Sequence, residues 1–222
     1  MKKMCISLLL VCCCLETALA QETDNFISAS IDGKEWKAEA KRLKIPFRKK
    51  DFNYLALAAF EVSPDVQLWI RLYYFTDELK PGTYPIEDLA EMEKRKYKPK
   101  SKTGLFALVD YTEETKKMGH GFHDGESMSG TVTITAATPT SVEGTFEGTL
   151  QGVYYQKRVL ATVTGSGLRA NLGKKLLTGA GAGMVANIDP HEHDRSKKTE
   201  ETDSIRITDG KFKVDWAKDD KQ

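Results

Sequence analysis

Asn25-Phe26-Ile27-Ser28-Ala29-Ser30-Ile31-Asp32-Gly33-Lys34-Glu35-Trp36-Lys37-Ala38 reads as two extended segments joined by a two-residue turn. An Asp-Gly pair between extended segments is a strong hairpin signal, because the turn needs positive φ at its centre. The same device returns near the C-terminus. Ser204-Ile205-Arg206-Ile207-Thr208 alternates, Asp209-Gly210 follows, and Phe212, Val214 and Trp216 alternate again, so a second hairpin is predicted there.

The chain between these ends is also β in character. Phe52 to Val62 and Val66 to Phe75 are long apolar runs separated by Ser63-Pro64-Asp65. Both of their faces carry apolar or aromatic residues, as central strands covered on each side do. Thr131-Val132-Thr133-Ile134-Thr135 alternates, and Val142, Phe146 and Leu150 continue the period across Gly144 and Gly148. Gly104 to Tyr111 and Arg158 to Thr164 are further strand candidates, and Pro81-Gly82 marks a turn. Glu113 to Ser127 reads as a polar loop. Glu87 to Lys98 is the one helical stretch, short and highly charged, and reads as a solvated connection. Many short strands with almost no helix predict an antiparallel β-sandwich or an open barrel, the sandwich being preferred. Residues 171–203 read as a long, flexible C-terminal insertion loop within a single domain spanning 21–222.

The N-terminus has the anatomy of a signal peptide over residues 1–20. Lys2 and Lys3 precede an apolar run from Cys5 to Leu15, and Ala18-Leu19-Ala20 suits cleavage before Gln21. The run is shorter than the roughly 20 apolar residues of a membrane span, so no transmembrane segment is expected. The expected location is secreted, periplasmic or cell envelope. All four cysteines, Cys5, Cys12, Cys13 and Cys14, fall in this leader, so the mature chain holds no disulfide. The residues before them are not those of a lipoprotein leader, and the free form is preferred over lipid anchoring. Once Lys2, Lys3 and Glu16 are set aside, acidic and basic residues balance at a formal net charge of zero. That balance argues against a general nucleic-acid binder.

Several of these segments resemble one family. Ile27 to Trp36, Pro81-Gly82-Thr83-Tyr84-Pro85-Ile86, Ser129 to Thr135, Val142 to Gly148 and Ile207 to Phe212 resemble, in order and spacing, small envelope β-proteins of Bacteroidetes-type bacteria. The resemblance implies the all-β fold and the envelope compartment. It implies no activity, since no catalytic residue comes with it. Many members carry a lipobox cysteine, and this chain departs from them there.

The chemistry-bearing residues are few. The four histidines fall in two clusters, His120-Gly121-Phe122-His123-Asp124 and His191-Glu192-His193-Asp194. Neutral imidazoles with carboxylates suit Zn²⁺, so His120, His123, His191 and His193 are the candidate metal ligands and zinc the candidate cofactor. Solvated loop histidines are the plainer reading. Gly165-Ser166-Gly167 lacks the βαβ unit of a dinucleotide loop, and no Gly-x-Ser-x-Gly or cysteine nucleophile occurs in the mature chain. The aromatic residues Trp69, Tyr73 and Phe75 on one strand face read as core rather than as an exposed platform. The reading that results is a non-enzymatic binding or structural module, with a protein or glycan of the cell envelope as its partner. A metal-binding protein and a hydrolase with a carboxylate cleft are the alternatives.

Overall fold

The computed structural model describes residues 25–43, 53–62, 65–95, 106–115, 120–157 and 196–217. They form nine strands and one short helix: β1 (Phe26–Ile31), β2 (Lys34–Leu43), β3 (Asn53–Val62), β4 (Asp65–Tyr74), β5 (Gly82–Ile86), α1 (Leu89–Lys94), β6 (Phe106–Glu114), β7 (His120–Thr138), β8 (Ser141–Lys157) and β9 (Ser196–Asp215). The protein is all-β, as expected. The strands form one sheet in the order β1-β2-β3-β4-β6-β5-β7-β8-β9, and β1 pairs with β9, so the sheet closes into a barrel. Closure leaves the middle of the sheet without an edge. Every pairing is antiparallel except a single parallel bridge, Ile86 to Ala107, between β5 and β6.

The first Asp-Gly pair behaves as its chemistry predicts. Asp32 and Gly33 have φ of 48° and 78°, and β1 and β2 pair directly from Ile31 opposite Lys34. The second pair does not make a hairpin. Asp209 also has positive φ, at 53°, yet β9 runs through it without turning back. The register against β8 slips between Phe146 opposite Gly210 and Gly148 opposite Ile207, and the register against β1 slips between Ser28 and Ser30. Asp209 is therefore spent on a bulge. With partners on both sides, the extra residue kinks the strand instead of ending it.

Three other expectations change. Residues 120–127, read as loop, are the first part of β7, and residues 196–203, read as part of the insertion, open β9. The rest of that insertion, and the candidate strand at 158–164, lie outside the described residues. The helix is shorter than Glu87 to Lys98: Asp88 caps it by accepting from the Glu91 N–H at 2.9 Å, and six residues follow. It is also docked. Leu89 and Met92, three residues apart, are buried against Tyr73, Phe106 and Leu108 on the outside of the sheet.

Alternation fills the barrel. Ile27, Ala29, Leu57, Leu68, Ile70, Val109, Val132, Phe146, Ile207 and Phe212 point inward and are almost wholly buried. The opposite faces of β3 and β4 carry Ala56, Ala58 and Trp69, also buried, which explains why both runs read as apolar on each side. Trp69 and Tyr73 are 0% and 2% exposed, so the core reading holds for these two, whereas Phe75 lies just past β4 and is half-buried. One end of the barrel is closed by Trp216, whose Nε1 donates to the Pro139 carbonyl at 3.2 Å while the Arg42 guanidinium sits 4.9 Å over its ring. Where β5 ends, β6 and β7 meet directly, and Ser127 joins them: its hydroxyl accepts from Val109 N at 2.7 Å and donates to Val109 O at 2.6 Å. No helix among the described residues is long and apolar enough to cross a membrane.

Candidate functional site

At the end opposite Trp216 the described residues leave a cavity. Ile31, Val66, Tyr111 and Ile205 form the floor of this cavity of about 340 Å³. Its walls come from the β1–β2 turn and the start of β2 (Asp32, Lys34, Glu35, Trp36), and from Glu113 and His123. Register places the last two together, because Glu113 on β6 lies directly opposite His123 on β7. The next strand brings Tyr154 opposite His123, and the one after brings Asp203 opposite Gly152.

His123 is the centre of this group. Its Nε2 lies 2.9 Å from Asp203 Oδ1. Its ring stacks on Tyr154 at 4.3 Å and 7°, and Tyr111 stands edge-on at 6.4 Å. Tyr154 donates its hydroxyl to Asp203 Oδ2 at 2.7 Å, so one carboxylate holds both stacked rings. Tyr111 donates to Glu113 Oε2 at 3.1 Å, and that same oxygen is 4.0 Å from His123 Nδ1. Gly152 makes the arrangement sterically feasible, since a β-carbon there would overlap Asp203 Oδ1 and come within 2.7 Å of His123 Nε2. Across the cavity, the indole Nε1–H of Trp36 is shielded from solvent and has no acceptor among the described residues.

The carboxylates set the electrostatics. Burial, then the hydrogen bond and charge of Asp203, push the Tyr154 phenol up to about 12. Burial pushes Tyr111 up as well, reinforced by Glu113, Asp32 and Asp124. A raised phenol pKa means that the neutral form is favoured in the folded protein. The associated stability is complete below the ordinary tyrosine pKa of about 10 and is lost as pH rises toward 12. Asp203→Asn removes that charge, and the Tyr154 ring carbon resonances should then titrate at lower pH than in the parent protein. An unchanged Tyr154 titration would show that Asp203 does not control it.

The structure treats the four candidate histidines differently. His123 is at the cavity. His120 is the first residue of β7 and pairs with Gln156. His191 and His193 lie outside the described residues. Among the described residues, no group of three or more His, Cys, Asp or Glu side chains is placed to hold a metal ion. The reason at His123 is geometric: its two ring nitrogens face different carboxylates on opposite edges of the ring, rather than sharing a focus with them. Sequence reading missed Asp203, Tyr111, Trp36 and Asp32 as site residues. The Asp203 partnership spans 80 residues and leaves no local signal. Glu113 and His123 are close enough in sequence to be found as a cross-strand pair, had 120–127 been read as strand.

No protein-family model, curated protein or solved structure matches this chain. Fold and site together define a closed β-barrel in which, among the described residues, polar and aromatic groups converge on a cavity at one end.

Proposed function

We propose that the protein is a non-enzymatic binding module of the secreted or periplasmic compartment, and that it takes a small polar ligand, or the polar end of an envelope glycan or protein, into the barrel mouth. The observation that carries this reading is the cavity of about 340 Å³ at an end of the barrel where polar groups of the described residues converge. Barrel mouths are common ligand sites, and the volume lies in the range of small-molecule pockets. The Trp36 donor supports it: its shielded N–H has no acceptor among the described residues, and such a group is costly until a ligand supplies one. The leader anatomy and the absence of a nucleophile motif support the compartment and the non-enzymatic role.

The test is a titration followed by amide and indole NMR, with the Trp36 indole signal assigned through Trp36→Phe. Butylammonium chloride, sodium butyrate and N-acetylglucosamine serve as cationic, anionic and neutral probes. Saturable shifts confined to Trp36, Tyr111, His123 and their strand neighbours are expected with at least one probe. Silence from all three at high millimolar concentration would overturn the reading.

A second reading, acid–base hydrolysis, draws on the His123–Asp203 pair, since a carboxylate that fixes an imidazole tautomer is a recurrent device for proton transfer. It requires turnover of a chromogenic ester or glycoside that His123→Phe abolishes.

A further inference from the structure

The contacts of His123 are specific enough to name a ligand class, an inference that rests on the barrel mouth being a binding site. An ionised Asp203 carboxylate can only accept hydrogen bonds, so the 2.9 Å contact places a hydrogen on His123 Nε2. In the neutral ring the other nitrogen, Nδ1, is then an acceptor. Its neighbour at 4.0 Å is Glu113 Oε2, also an acceptor, which uses one lone pair on the Tyr111 hydroxyl. Two acceptors at that separation do not bond each other. One nitrogen set about 2.9 Å from each reaches both, provided that it carries two hydrogens to give. A hydroxyl has one hydrogen and can satisfy only one of them. An anion would be repelled by Glu113.

We infer that the barrel mouth binds a primary ammonium group, held between His123 Nδ1 and Glu113 Oε2. The remaining lining agrees. Asp32 and Glu35 on the facing wall outnumber Lys34, so the cavity favours a cation. Tyr111 and Trp36 present aromatic surface to the carbon chain that carries the ammonium. The Trp36 N–H asks for an acceptor elsewhere on the same ligand, such as a hydroxyl or carbonyl. The upward push that nearby carboxylates exert on Tyr111 and Tyr154 reports the same negative field.

The full mature chain is titrated with butylammonium, with tetramethylammonium, which has the charge but no N–H, and with butyrate. Butylammonium should bind about tenfold or more tightly than tetramethylammonium, as two charge-assisted hydrogen bonds require, and butyrate should not bind. Glu113→Gln should weaken butylammonium about tenfold or more while its amide spectrum stays that of the folded parent. Independently of any ligand, the ring ¹⁵N shifts of His123 should show the Nε2–H tautomer. Equal binding of the two cations, an unweakened Glu113→Gln, or a hydrogen on Nδ1 of the neutral ring would each overturn the inference. Butyrate or N-acetylglucosamine binding at the mouth without butylammonium would overturn the ammonium assignment and leave the binding reading intact. If none of the probes binds, both fall together.

Discussion

Asp110→Ala is expected to lower the stability of the folded protein by about 3–5 kcal/mol, because it removes a buried carboxylate that is ion-paired with the Arg71 guanidinium. Asp110 Oδ2 accepts from Arg71 Nε at 2.6 Å, and the two side chains are 0% and 9% exposed. They meet diagonally on the face of β4 and β6 turned away from the barrel interior, since Asp110 lies opposite Trp69 and Arg71 opposite Leu108. Trp69 packs beside them, with its indole Nε1 donating to Gln67 at 3.1 Å, so the pair belongs to a polar strip buried within an apolar surface. Attraction between the charges is strong there, but so is the cost of having removed them from water. Urea unfolding of Asp110→Ala, Arg71→Met and the Arg71→Met, Asp110→Leu double variant measures this balance. Each single variant should be much less stable than the parent, and the double variant should recover most of the loss. A loss of under about 1 kcal/mol in Asp110→Ala would mean that the site relaxes and lets water reach Arg71.

Gly130→Ala is the second large effect, expected to cost about 3–5 kcal/mol from backbone strain and overpacking combined. Gly130 has φ of 138°, a conformation that side chains rarely adopt. It lies opposite Gly148 on β8 and Ile86 on β5, just beyond the bulge at Ser127 and Ser129. A β-carbon there would overlap the carbonyl oxygen of Glu147 and the α-carbon of Gly148, which are backbone atoms held in the ladder and unable to turn aside. Gly33→Ala is the matched control. Gly33 also has positive φ, at 78°, but nothing lies within 4 Å of the position a β-carbon would take. Its cost should be about 1–2 kcal/mol, the conformational part alone. Equal losses at both positions would refute the close-approach argument at Gly130.

The two glycines show how differently a turn residue is read from sequence and from structure. Asp32-Gly33 is legible because a two-residue hairpin is a local event: two neighbouring residues need positive φ and the flanking strands meet at once. Asp209-Gly210 carries the same two letters and makes a bulge, because β1 and β8 hold β9 from both sides and neither of them is near it in sequence. The helix is a similar case. Its capping Asp88 is readable, but its docking depends on Tyr73, Phe106 and Leu108 arriving from two other strands.

What the sequence by itself determined was the all-β character, the first hairpin, and the two-faced apolar strands β3 and β4, since each follows from alternation or turn chemistry over fewer than a dozen residues. It also marked His123 as a residue with chemistry to offer. Only the tertiary structure decided that the sheet closes on itself, through β1 and β9 from opposite ends of the chain. Only the structure chose the partners of His123. Tyr154 and Asp203 reach it through the registers of β7 on β8 and β8 on β9, and Gly152 admits them by lacking a side chain. Local periodicity records which way a side chain points, whereas strand register over 80 residues is fixed by the packing of the whole barrel, and the site is made by register.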